Sequence, residues 1–219
     1  MSLNLEQARF NMVEQQVRTW EVLDPRVLDV LREVPREDFV PSRYRKLAFA
    51  DLRIPLGHDQ VMMKPLEEGR MLQALEIQPG QRVLEIGTGS GFAAACMSAL
   101  GADVISIDIH AELAELASAR LERLGFGSVH CKTADALGDF SPAEKFDLVV
   151  VTGSAANIPE RFKDWVESGG RLFAVRGHSP AMEAVCLHQL GPDRWHPDSL
   201  FETDLPRLIG AEDRPEFTF

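Results

Sequence analysis

At 219 residues, with 45% hydrophobic and 26% charged side chains, the chain has the size and make-up of a globular domain with an appendage, which excludes disorder. A formal charge of -11 and a pI near 5.0 leave no surplus of Lys and Arg to grip a phosphate backbone, so no nucleic-acid partner is expected. Cys96, Cys131 and Cys186 are odd in number and widely spaced, the start MSLNLEQARF has no secretory pattern, and no apolar run is membrane-length; these predict no metal site, no disulfide frame, no membrane contact and a reducing cytoplasm.

In chain order, Leu5, Phe10, Val13 and Val17 recur at near-helical spacing and predict an amphipathic helix over 3–19. Asp24-Pro25 reads as an N-cap and first-turn proline opening a second helix with Val27, Leu28, Leu31 and Val34 on its apolar stripe, stopped by Pro35. The run SRYRKLAF predicts a short third helix, so the first fifty or so residues form a helical extension that covers a sheet edge or roofs a pocket. A loop or short extended piece follows over 54–65, then a helix over 66–75 and a turn at Pro79-Gly80. We place a boundary there, with residues 1–75 as extension and pocket loop and 76–219 as the main domain.

Strands are predicted at 82–86, 103–108, 128–132, 146–152 and 171–176, with helices at 91–100, 111–124 and 158–167. Such alternation means a mostly parallel, doubly wound α/β sheet, and the nearly all-apolar central strands suit burial on both faces. After Pro180, MEAVCLHQL and SLFETDL alternate with no helix between them, which predicts an antiparallel finish.

The chemistry concentrates in RVLEIGTGSG, residues 82–91. Gly87, Gly89 and Gly91 let the backbone turn tightly and let a ligand approach, while the next helix begins with unpaired N–H groups. The spacing is GxGxG rather than the GxGxxG of dinucleotide sites, and Glu85 stands two residues before the first glycine. A fixed carboxylate there opposes a pyrophosphate and suits a ligand with a cationic amino group, such as S-adenosylmethionine (SAM). Asp108, closing the next strand, can accept hydrogen bonds from both ribose hydroxyls. Because ligands lie beyond the carboxyl ends of such strands, the rim residues are Gly87, Thr88, Gly89, Ser90, Gly91, Asp108, Ile109, Ala134, Asp135, Ala136, Thr152, Gly153 and Ser154. Asp135 either accepts from the adenine amino group or caps a loop, and Asp147, at the opposite end of its strand, is structural.

With these residues placed, the chain resembles the protein-L-isoaspartate O-methyltransferase family. The resemblance runs from about Asn11 to Gly177 and is carried by VLEIGTGSG, FDLVVVTGSAANIP, GGRLFAVRG and IPLGHDQ. It implies a Rossmann-like, class I SAM-dependent methyltransferase that methylates the carboxylate of isoaspartyl residues in damaged proteins, initiating their repair. It also implies a seven-stranded sheet with an antiparallel member, a helical extension near the substrate, and SAM contacts at Glu85, Gly87, Gly89, Asp108 and Asp135. The family carries Thr-Ile-Ser-x-Pro where this sequence reads Val61-Met62-Met63-Lys64-Pro65, so Met63 occupies the place of a serine beside the transferring methyl and the substrate carboxylate. A thioether donates no hydrogen bond. The same loop makes Gln60, Val61, Met62 and Met63 the substrate-side candidates. Near the C-terminus, Phe201-Glu202-Thr203-Asp204 replaces an apolar family stretch, and two carboxylates facing the pocket would repel an anionic substrate.

A carboxylate acceptor is ionised at neutral pH and needs no general base, whereas a hydroxyl acceptor wants one, and His58 with Asp59 is the adjacent pair in the loop. Three readings follow: isoaspartyl carboxyl methylation of a protein or peptide; SAM-dependent methylation of another, less anionic acceptor, small molecules included; or a SAM-binding module without catalysis that acts through a partner.

Overall fold

The structure, a computed structural model, describes residues 4–212. The chain opens with α1 (Leu5–Asn11), capped by the Asn4 side chain, then widens into a π-helical stretch over Met12–Val17 before a tight turn at Arg18–Trp20. The widening alters the face expected from a regular helix: Met12, Val13 and Val17 are buried, while Phe10 stays 53% exposed. α2 (Pro25–Glu33) starts as expected, with the Asp24 carboxylate accepting from the Arg26 N–H at 2.8 Å. The third expected helix is present as a 3-10 helix over Ser42–Leu47.

The 54–65 segment is a β-hairpin, β1 (Ile54–Gly57) and β2 (Gln60–Met62), turned at His58 and Asp59, both with positive φ (52° and 57°). It leads into α3 (Pro65–Leu75), whose first turn is closed by the Glu67 carboxylate accepting from the Lys64 N–H. α3 packs tightly on the extension: a methyl group at Gly69 would lie 2.8 Å from Val17 Cγ1.

The main sheet then alternates: β3 (Arg82–Ile86), α4 (Phe92–Ala99), β4 (Asp103–Asp108), α5 (Ala111–Arg123), β5 (His130–Thr133), β6 (Phe146–Ala155), α6 (Glu160–Asp164), β7 (Val166–His178), β8 (Ala181–Gly191) and β9 (Arg194–Thr203). The strand order is β5-β4-β3-β6-β7-β8-β9, parallel from β5 to β7, with β8 antiparallel to both its neighbours. The fold is thus a Rossmann-like α/β sheet. α6 is shorter than the predicted 158–167, because the backbone leaves the helix to join β6: Phe146 N–H donates to the Trp165 carbonyl at 2.8 Å. Asp147 plays a structural part at the far end, its Oδ2 accepting from the Arg82 N–H at 2.8 Å.

Strand alternation sorts the interior into two layers. Val83, Leu148, Val150 and Phe173 point to the face that carries the N-terminal extension, α3 and α4. Leu84, Ile86, Val149 and Leu172 point to the other, with Phe162 and Trp165 at α6. The order reverses between β3 and β6: the chain runs outward through β4 and β5, then returns past β3 to β6, opening a crevice at the carboxyl ends of those two strands.

One buried ion pair joins the extension to α3. Arg36 is fully buried and pairs with the nearly buried Glu68; its Nε donates to the Ala48 carbonyl (2.8 Å), its second amino group to the Met63 carbonyl (2.7 Å), and its guanidinium lies 4.7 Å from the Phe92 ring centre. Removing one partner strands a buried charge, whereas removing both leaves an apolar contact. Arg36→Met should therefore lower unfolding free energy by about 3–5 kcal/mol in urea titrations, and adding Glu68→Leu should recover most of that loss. A double variant as unstable as the single one would show that Arg36 acts through its carbonyl contacts instead.

Candidate functional site

The glycine turn after β3 is fixed from three sides. Gly87 N–H and Thr88 N–H both donate to the Ile107 carbonyl (2.8 and 3.2 Å), tying the turn to the end of β4. Thr152 of β6 donates its hydroxyl to the Gly87 carbonyl at 2.7 Å, and a methyl group at Gly87, φ 103°, would lie 2.5 Å from that hydroxyl. Asp108 completes the frame: Oδ2 accepts from Gly89 N–H and Oδ1 from His110 N–H, each at 2.9 Å. It is 7% exposed and lines the crevice, and each oxygen keeps a lone pair for a ligand hydroxyl.

Two connected spaces follow from this frame. The outer one runs along the strand ends between Asp108, Ile109, Ala134, Asp135 and Ala136 on one side and Gly153 with the 206–209 segment on the other. Ile109 is 37% exposed and offers a planar ligand an apolar contact. Asp135 caps the loop, its Oδ1 accepting from the Leu137 N–H at 2.9 Å, and it also lines the crevice. The inner space lies under the hairpin, between Leu56, Val61, Met62 and Met63 and the turn residues Glu85, Thr88 and Ser90.

Glu85 is the most unusual group here. It is completely buried; Oε2 accepts from Ser106 at 2.5 Å, and Ser106 in turn contacts Thr88 at 2.6 Å. Oε1 has no partner among the described residues. Burial pushes its pKa up to about 8; the Ser106 hydroxyl opposes the shift and the Asp108 and Glu68 carboxylates add to it. A cationic amine in the inner space would give Oε1 its missing partner and return Glu85 to the charged form. The residues present therefore fit SAM: an acid for the ammonium, a second acid for a ribose, and a glycine cradle without side chains between them.

Gln60 and Val61 reach the outer space, and Val61, Met62 and Met63 the inner one. Gly91, φ 84°, is the N-cap of α4 rather than a lining residue, and Ser154 is fully buried behind Gly153. His58 and Asp59 form no acid–base pair: His58 stacks on His110 and its Nε2 contacts Glu112 at 3.0 Å, and neither turn residue lines either space. Glu202 and Asp204 do not line the crevice either; Glu202 is exposed, and Asp204 accepts from the Ser179 hydroxyl at 3.0 Å.

Two contributions have no sequence motif. The segment after β9 returns beside β6, with Ser154 N–H donating to the Pro206 carbonyl (2.9 Å) and Leu208 N–H to the Ser154 carbonyl (2.8 Å), and so builds one wall of the outer space. Glu68, from α3, enters the inner wall. A carboxylate one position after Glu67 on an apolar helix was the only available hint.

Comparison with known proteins agrees with this geometry. A model of the protein-L-isoaspartate(D-aspartate) O-methyltransferase family matches residues 7–185. A protein-L-isoaspartate O-methyltransferase 1 of Rhodopseudomonas palustris is 37% identical over 205 residues, covering 93% of this chain and 84% of the relative. A protein-L-isoaspartate O-methyltransferase 2 of Marinobacter nauticus is 35% identical over 213 residues, 97% of each. In fold, the chain is similar to a Plasmodium falciparum protein-L-isoaspartate O-methyltransferase structure in complex with S-adenosyl-L-homocysteine, with a TM-score of 0.79 and 16% identity over 90% of this chain and 96% of that one. The family model and the sequence match along most of the chain have one meaning: this protein belongs to the protein-L-isoaspartate(D-aspartate) O-methyltransferase family.

Proposed function

We propose that the chain is a SAM-dependent methyltransferase that esterifies the free carboxylate of isoaspartyl residues in proteins or peptides. Family membership supports the reaction, and the observation that carries the site is Glu85: a buried carboxylate with one unpartnered oxygen, at the foot of a glycine turn whose other end is held by Asp108. In this reading Glu85 binds the ammonium, Asp108 the ribose hydroxyls, Ile109 and Asp135 the adenine, and Gly87 to Ser90 pass beside the chain between them. When bound, SAM would supply an electrophilic methyl group for transfer to an acceptor oxygen, with S-adenosylhomocysteine as the leaving group. The residues of this chain position the two reactants and exclude water, which together account for several kcal/mol of barrier. A carboxylate acceptor fits the inner space, which no histidine lines among the described residues, because it is already ionised at neutral pH. Three unpaired thiols support a reducing cytoplasm as the setting, and among the described residues no helix is long and apolar enough to cross a membrane.

Three outcomes test this reading. Methanol released after incubation with SAM and an isoaspartyl peptide, with none from its aspartyl counterpart, is the expected result; SAM binding without turnover on any acceptor would instead make the chain a binding module. Asp108→Ala should weaken SAM by about 1–3 kcal/mol through lost hydrogen bonds, and an unchanged Kd would remove Asp108 from the site. Because the ammonium favours charged Glu85, whose pKa in the free protein is about 8, binding expels a proton; SAM affinity should rise up to about tenfold per pH unit on going from pH 6 towards 8. Glu85→Gln should flatten that slope, and a wild-type Kd that is level across the range would contradict the role given to Glu85.

A further inference from the structure

Five side chains with polar atoms line the inner space, and four already have a role. Thr88 and Ser106 form a hydroxyl chain that ends on Glu85; Thr152 donates to the Ile86 and Gly87 carbonyls; and Ser90, within the glycine turn, accepts from the Phe92 N–H. Glu85 faces the cofactor ammonium in the reading above. The fifth is Glu68, from the first turn of α3 on the same wall as Met62 and Met63, its side chain only 4% exposed. One of its oxygens rests on Arg36, and the other has no hydrogen-bond partner among the described residues.

We infer, building on the isoaspartyl reading, that Glu68 is the residue the acceptor meets: its carboxyl, seated on Arg36, takes up a proton as the acceptor carboxylate enters and donates a hydrogen bond to it. The neighbouring wall supplies no such donor, since Met62 and Met63 have only thioethers. Charge balance points the same way. With SAM bound, the enclosed groups are the Arg36 cation, the Glu85 anion, a cofactor carrying one net positive charge, and the acceptor anion. These sum to zero before Glu68 is counted, the Asp108 carboxylate at the ribose end adds one negative charge, and a charged Glu68 would add a second, which is expensive in a closed site.

The surroundings of Glu68 allow that change. Burial pushes its pKa up to about 7, Arg36 pulls it down, and Glu67 on the same helix pushes it up. Glu67 is itself held by Arg53 (2.6 Å) and the Thr203 hydroxyl (2.7 Å). The other titratable groups facing Glu68 are Glu85 of β3 and Cys96 of α4. A small further push from an acceptor anion is enough to protonate it near neutrality. The sign is opposite to that at Glu85: methylation at saturating SAM should fall as pH rises through about 7, because the donating form is lost.

The test uses the full chain saturated with S-adenosylhomocysteine and an isoaspartyl peptide titrated by calorimetry in two buffers of different ionisation heat. At about pH 7.5 the wild type should take up a large fraction of one proton on binding the peptide, and Glu68→Gln should take up none. In turnover, the Arg36→Met/Glu68→Leu double variant, which replaces the ion pair with apolar side chains, should lose at least about tenfold in kcat/KM for the peptide while keeping its S-adenosylhomocysteine affinity. Glu68→Gln, whose amide can donate, should recover part of that loss without the pH limb. A wild type that methylates the peptide but takes up no proton, or a double variant with unchanged kcat/KM, overturns the role of Glu68 alone. A wild type that binds SAM yet never methylates the isoaspartyl peptide overturns the acceptor reading and this inference together.

Discussion

The site depends on keeping a carboxylate where water cannot reach it. Glu85 is on a central strand, flanked by β4 and β6, and among the described residues only one of its oxygens has a hydrogen-bond partner. In isolation that arrangement is costly, since a buried polar atom without a partner forfeits its hydration with no return. The fold limits the cost by letting the group stay protonated and by running a hydroxyl chain to it from Thr88 through Ser106. A cationic ligand is then the one partner that both satisfies Oε1 and restores the charge.

How legible was this beforehand? The strand–turn–helix around Gly87 was plain because three physical signals coincide there: an apolar β-rich run, glycines at alternate positions and an alanine-rich helix start. Asp108 followed from strand length alone. The parallel core and antiparallel finish were equally readable, since strands buried on both faces are continuously apolar and β8 and β9 alternate without a helix between them. What escaped was set by tertiary contact. Nothing local announces that 205–208 will lie against Ser154, or that the helix at residue 12 will widen to bring Met12 and Val13 inward.

His58 and Asp59 illustrate a different limit. As an adjacent polar pair in a pocket-side loop they invite an acid–base reading, yet a two-residue hairpin turn needs positive φ at both central positions and directs their side chains away from the strands. Turn geometry, not catalysis, explains their place. The acidic pair Glu202 and Asp204 misleads in the same way, because the end of β9 leaves Glu202 in solvent and Asp204, just past the strand, beside Ser179.

The N-terminal extension acquires a chemical role through a single residue. Arg36 belongs to the extension, but its donors reach the carbonyl of Met63 and the carboxylate of Glu68, both on the wall of the inner space. A guanidinium suits this position because it stays charged when buried and its planar donors can serve several acceptors at once. The extension thus does more than cover an edge: it sets the electrostatics of the surface opposite the glycine turn. A methionine wall lacking hydroxyls would by itself bind an apolar acceptor, and a lone buried glutamate would be held neutral by its burial. Arg36 beneath Glu68 offsets that burial and brings the carboxyl to where its charge can adjust to what enters; in the proposed reading, acceptor choice would follow from the protonation of this neighbour rather than from a fixed donor.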